Sequence, residues 1–258
     1  MISIISPAKT FASKIKKGAY SPEPTQPQFI EASRPIVEAT LALDKEYMAK
    51  QFGLSPKKAD EAYRDWRAFI SSTTQDQPTL QLYSGMVFKK IDAASFSESD
   101  WLWANEHLLV CSFVYGLLLP TDGIRAYRME GTANLAWDRE ESVFEYWRDK
   151  LTPLLISRVQ ASGGILFYLA SEEMKQLFHW AEVERSVRVI SPRFLTREPS
   201  GGLKQIVIYT KMARGAMARH IIQNRIEDPK QLRAFSPEGF SFSSELSQGN
   251  EWGYVLEQ

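Results

Sequence analysis

The chain has 258 residues, 44% of them hydrophobic and 24% charged, an ordinary globular composition for which disorder is not the default and which leaves enough apolar surface for a substantial core. Lys plus Arg and Asp plus Glu each number 31, so bulk charge draws the protein to neither nucleic acid nor membrane, and any anion-binding surface must come from local clustering. The single cysteine, Cys111, excludes an intrachain disulfide and fits a reducing compartment.

The opening "MISIISPAKTF" has no basic stretch followed by a long apolar run, so no signal peptide is expected. The longest apolar run, "LLVCSFVYGLLL", is broken by Ser112, Tyr115 and Gly116. It falls short of the roughly 20 residues of a membrane-spanning helix. A cytoplasmic protein with no membrane partner is the expectation.

In chain order, "ISII" (2–5) reads as a strand buried on both faces. Lys9 in "SPAKT" follows it directly, where α/β proteins present ligand-contacting loops. The loop lacks the glycines and the Gly-Lys-Ser/Thr order of a phosphate cradle, so a simple exposed lysine is the plainer alternative. "SPEPTQPQ" (21–28) is a proline-rich surface loop. Ser55-Pro56 opens a helix over "KKADEAYRDWRAF", and Ser97 with Asp100 resembles a capping box opening "DWLWANEH". "LLVCS" (108–112) is the second strand.

"VYGLLLPTDGIRAYRMEG" (114–131) reverses at Gly116 and Pro120, then collects Asp122, Arg125, Tyr127, Arg128 and Glu130. A buried Arg128–Glu130 pair would be structural; the same pair lining a cleft could hold a polar ligand or relay a proton. The reversal also resembles the hairpin of a helix-hairpin-helix element, whose backbone N–H groups grip duplex phosphate, although "LLVCS" is as good a strand as a helix. A helix follows over "ESVFEYWRDKLTPLLISRVQ", with Pro153 expected to kink or break it.

"GILFYLAS" (164–171) is a third strand, after which Ser171 is expected to cap a helix with Glu172 and Glu173 at its N-terminus; a catalytic acid or base is the alternative. "VRVISPRF" (187–194) and "KQIVIYTK" (204–211) read as the last two strands, joined by a tight hairpin at "REPSGGLK". Strands separated by helices predict one α/β or α+β domain over 1–258, with a mixed sheet of about five or more strands flanked by helices.

"KMARGAMARHIIQNR" (211–225) projects Lys211, Arg214, Gly215, Ala218 and Arg225 onto one arc of about 100°, with Arg219 at its edge. Ala213, Ala216, Met217 and Ile221 face the core side. Gly215 and Ala218 would let a phosphate or another backbone approach while cations close around it; a solvated charged face is the bland alternative. His107, His179 and His220 have no metal-ligand spacing and no Gly-x-Ser-x-Gly elbow occurs, so neither a metal site, a cofactor nor a catalytic residue is assigned.

Taken together, "ISPAKT", "YGLLLPTDGIRAYRME", "LASEE" and "YTKMARGAMARHIIQNR" followed by "PEGF" resemble the successive motifs of the YaaA family of bacterial peroxide stress resistance proteins, from Ile5 to about Phe242. The resemblance implies a single α/β domain of unusual architecture, a cytosolic location and a role in limiting free iron under peroxide stress. It also implies double-stranded DNA binding through a basic cleft with a helix-hairpin-helix type element. Carried over by motif, the DNA- or anion-binding candidates are Lys9, Arg125, Tyr127, Arg128, Glu130, Lys211, Arg214, Arg219 and Arg225. The chain departs from the family pattern at Ser84, Met86, Phe88 and Leu119, which removes a lysine and an arginine and is expected to weaken phosphate contacts.

The leading reading is therefore a non-enzymatic protein that binds duplex DNA largely without sequence preference. The competing reading is an enzyme acting on a phosphorylated or nucleotide-like small molecule in the same cleft. A third is a protein-interaction role in which the basic helix meets an acidic partner.

Overall fold

A computed structural model describes residues 1–71, 73–135 and 141–257. Strand β1 (Ile2–Ile5) is buried along its whole length. The chain then runs through α1 (Ile30–Ala42), α2 (Lys45–Gln51) and α3 (Pro56–Phe69). Helix α2 begins at Asp44, whose carboxylate accepts the Tyr47 N–H at 2.7 Å, and α3 begins with proline at its first position. Next come β2 (Gln77–Pro78), α4 (Thr79–Leu82), α5 (Met86–Ile91) and α6 (Glu98–His107). The capping box of α6 forms as expected: the Ser97 hydroxyl accepts the Asp100 N–H, and the Asp100 carboxylate accepts the Ser97 N–H at 2.9 Å.

Then follow β3 (Leu108–Ser112), β4 (Gly116–Leu118), β5 (Gly123–Ile124), α7 (Val143–Ala161), β6 (Ile165–Tyr168), α8 (Trp180–Ser186) and β7 (Arg188–Arg197). The chain closes with β8 (Leu203–Lys204), α9 (Val207–Gln223), β9 (Ser241–Gln248) and β10 (Glu251–Leu256). The architecture is mixed α/β: an eight-stranded sheet in the order β4-β3-β1-β6-β7-β10-β9, with β8 beside β7. β3, β1, β6, β7 and β10 run parallel, and β4, β8 and β9 pair antiparallel to their neighbours. The apolar runs at β1, β3 and β6 are buried almost throughout, as parallel strands covered on both faces require, whereas β7 alternates buried with more exposed positions.

Four expectations change. "KQIVIYTK" is not a strand beyond Lys204, because α9 starts at Val207. Thr210, Ala213, Met217 and Ile221 are buried at spacings of three and four, and that burial carries the helical period back through a β-branched run whose Val207 and Ile208 stay exposed. The "REPSGGLK" hairpin does form, with Gly201 at φ +85°, yet it does not join the last two strands, since β9 and β10 follow. Residues 108–118 form a β-hairpin in which Val110 faces Leu118, so the reversal at Gly116 lies between strands and not helices. Of the kink or break expected at Pro153, the break does not occur: Pro153 sits within a continuous α7, on its exposed face, where water can meet the carbonyl it leaves unpaired.

Among the described residues no helix is long and apolar enough to cross a membrane.

Candidate anion-binding cleft

β1 lies between β3 and β6, and the chain leaves the carboxyl ends of β1 and β6 in opposite directions, toward β3 and β7. Such a switch point opens a crevice between the two strand ends. Here it is a cleft of about 390 Å³, lined by Ser6 to Thr10 after β1, Leu169, Ser171, Glu173 and Met174 after β6, Gly85 to Phe88 at the start of α5, and Lys211 and Arg214 of α9. Phe113, Tyr127, Arg128 and Met129 complete it.

The two strand ends are tied to each other. The Ser171 N–H donates to Ser6 Oγ at 2.8 Å, and the Ser6 hydroxyl donates to Ser171 Oγ at 3.2 Å. Ser171 precedes a short 3₁₀ turn, Glu172–Leu177, without capping it through its side chain. Its hydroxyl faces β1 and the cleft, contrary to the capping expectation. Beneath the cleft, the Tyr127 hydroxyl lies 2.7 Å from that of Tyr83 and 2.8 Å from that of Ser112. Burial pushes both tyrosines above their ordinary pKa, so they stay neutral hydrogen-bonding groups.

Lys9, Tyr127, Arg128, Lys211 and Arg214 thus come together from three separated motifs. Glu130 stands beside them and accepts from Lys9 Nζ at 2.7 Å and from Arg128 Nη2. Lys211 is exposed. Arg214 is largely buried, which pulls its pKa down against the opposing influence of Tyr168 and Glu172. Among the described residues, the Nε atoms of Arg128 and Arg214 are buried with no hydrogen-bond partner. A buried guanidinium with an unmet N–H is costly and favours an acceptor arriving from outside the protein.

The other three cations are engaged elsewhere. Arg125 pairs with Asp76 at 2.7 Å and donates to the Phe69 and Ser71 carbonyls. Arg219 reaches Asp92 at 3.3 Å. Arg225 is past the end of α9 at φ +53° and pairs with Asp100 at 2.8 Å. Burial pushes Asp100 up, but its bonds to Ser97 and Arg225 outweigh that and hold it below the ordinary carboxylate range. The arc drawn over 211–225 therefore ends at Ala218, and its small residues face protein. A Cβ on Gly215 would run into the Val87 carbonyl and lie 2.7 Å from Lys90 Cβ. The close approach that Gly215 permits is that of α5.

Sequence reasoning missed the apolar half of the cleft, Phe113, Met129, Met174 and Met86, and the Ser6–Ser171 tie; Ser6 following a buried strand was the one available signal. Of the departures, Met86 lines the cleft, Ser84 donates to Thr10 Oγ1 at 3.3 Å, and Leu119 packs on the core. Two short helices without a local sequence signal, α4 and α5, are joined by Tyr83, Ser84 and Gly85, and α5 brings Met86, Val87 and Phe88 to the cleft.

The histidines are separately accounted for. His107 stacks on Trp103 at 3.9 Å, His220 stacks on Phe235 at 3.8 Å, and His179 faces Asp149 at 2.7 Å. Among the described residues no group of three or more His, Cys, Asp or Glu side chains is arranged to hold a metal ion.

The profile of a family described as peroxide stress protein YaaA matches residues 1–246. A UPF0246 protein of Porphyromonas gingivalis is 44% identical over 257 residues, covering 100% of both chains. UPF0246 proteins of Bacteroides thetaiotaomicron and Bacteroides fragilis are 41% and 40% identical, each over 99% of this chain and 98% of theirs.

Proposed function

The chain belongs to the peroxide stress protein YaaA family, and from that premise we propose that it binds the backbone of double-stranded DNA and limits iron-driven damage there. The observation that carries this reading is a cationic tract along α5 and α9. One end is the cleft with Lys9, Lys211 and Arg214. The other is a second concavity across the same two helices, lined by Lys16, Lys89, Lys90 and Arg219. Lys211 and Arg219 are eight residues apart on one helix, about 12 Å along its axis.

Asp92 and Glu238 neutralise part of the second concavity through Lys16, Arg219 and Lys90. Lys89 and Lys211 are exposed and, among the described residues, enter no ion pair. Cations that are locally clustered in a chain of zero net charge suit phosphate contact without base readout. Hydroxyl radicals form where ferrous iron sits on the backbone, so occupying phosphate and lowering available iron oppose the same lesion.

The test is duplex binding titrated with salt. Three or four phosphate contacts give a slope of about −3 to −4 in log K against log salt. Lys211→Ala is expected to weaken binding alike on unrelated sequences and to reduce the slope by about 1. Absence of binding at low salt, or binding indifferent to Lys211→Ala and Arg214→Ala, would overturn the reading. In cells, the wild-type gene but not the double variant should restore peroxide survival and lower chelatable iron in a deletion strain.

A second reading, a phosphorylated or nucleotide-like small molecule as ligand or substrate, is favoured by the position and size of the cleft. It sits at a sheet switch point, and about 390 Å³ lies within the ~300–1,000 Å³ range of small-molecule sites.

A further inference from the structure

Contact with backbone phosphate needs a charged surface, and three features of the cleft go beyond that. Its inner wall is apolar, built from Phe113, Met129, Leu169 and Met174, with Met86 at its rim. Polarizable thioethers beside an aromatic ring make an adaptable wall for a flat heterocycle. The same cavity takes in Arg128 and Arg214, whose Nε–H groups are buried without an acceptor among the described residues, so a base edge or a phosphate oxygen presented to the guanidinium groups meets cations the fold leaves under-partnered.

The third feature lies outside the cavity. Val207 and Ile208 are 66% and 44% exposed in the first turn of α9. Val207, Lys211 and Arg214 fall at i, i+4 and i+7 and so share one face of the helix. An exposed apolar pair beside a cationic rim has the character of the side chains that wedge between base steps and unstack them. Interior packing does not explain it.

We propose that the cleft holds one nucleotide unit, taken from a bound strand. The base enters between the methionines and Phe113, its phosphate stays on Lys9 and Lys211, and Val207 and Ile208 occupy the gap left in the stack. This rests on the DNA-binding reading for the source of the nucleotide. The wedge favours a strand over a free mononucleotide, which would have no use for it.

The experiment uses the full chain and a duplex carrying 2-aminopurine in a mismatched pair, with emission read at equal saturation as fixed by anisotropy. Wild-type protein is expected to raise the emission several-fold as the base leaves the stack. Met86→Trp, which fills the rim from a half-buried position, and the exposed pair Val207→Ser with Ile208→Ser should each remove most of that rise. Circular dichroism establishes that the variants are folded. Saturated duplex binding with no rise, or a rise that both variants keep, would overturn the nucleotide assignment and leave DNA binding standing. A separate arm titrates adenosine 5′-monophosphate. If that binds wild type but not Met86→Trp while no duplex is bound, the DNA reading falls and a nucleotide remains the ligand.

Discussion

Glu130 shows how one carboxylate can set the working charge of a site. Its side chain is only 14% exposed and accepts from both Lys9 and Arg128, so two of the cations on the cleft wall are already partnered. An arriving phosphate must compete with it, which moderates affinity and keeps the empty cleft from carrying unopposed buried charge. Glu130→Gln retains the shape and removes the competitor. It is expected to tighten duplex binding by about fivefold, the equivalent of ~1 kcal/mol, measured by anisotropy at fixed salt; weaker binding would instead mark Glu130 as the group that positions Lys9 and Arg128. Arg214 lies at the other extreme: among the described residues it enters no ion pair, Tyr168 and Glu172 oppose its burial without overcoming it, and an incoming anion adds to what they supply.

At the scale of elements, the site depends on how closely α5 can lie against α9. Gly215 is buried in α9, and the Val87 carbonyl of α5 occupies the space its side chain would take. Gly to Ala inside a helix ordinarily gains up to about 1 kcal/mol from propensity. Here the added methyl must push α5 away, and overpacking of this kind costs ~1–3 kcal/mol. Gly215→Ala is therefore expected to lower the melting temperature and, because α5 carries Met86 and Lys89, to weaken duplex binding as well. A rise in melting temperature would show that α5 yields easily. The same contact explains why the small-residue stripe is no floor for a ligand: the approach it allows is already used within the fold.

For the whole molecule, the cleft is a property of the sheet. Ser6, Phe113 and Ser171 each follow a different parallel strand, and the strand order β3-β1-β6 is what sets them side by side. The buried apolar residues form one cluster that spans both ends of the sheet, including Trp66, Trp101, Trp147 and Trp252 on separate elements. Denaturant unfolding followed by tryptophan fluorescence and by far-ultraviolet circular dichroism is expected to give one coincident transition; two separated transitions would divide the chain into independent units.

Local signals determined the pieces. Near-continuous apolar runs marked β1, β3 and β6, because strands covered on both faces need no polar alternation, and Ser97 with Asp100 marked the start of α6 because a capping box satisfies orphan N–H groups within four residues. The motif order pointed to the family and to nine candidate residues, of which Lys9, Tyr127, Arg128, Lys211 and Arg214 line one cleft. Tertiary structure alone decided which cations are free. Arg219 and Arg225 resemble Lys211 in the sequence, yet Asp92 and Asp100 from distant segments claim them, and no spacing rule encodes a partner more than 100 residues away. It also decided that "QIVIYTK" is mostly helix: its β-branched residues favour a strand by fractions of a kcal/mol each, whereas the helical course buries Thr210, Ala213, Met217 and Ile221 along one continuous face.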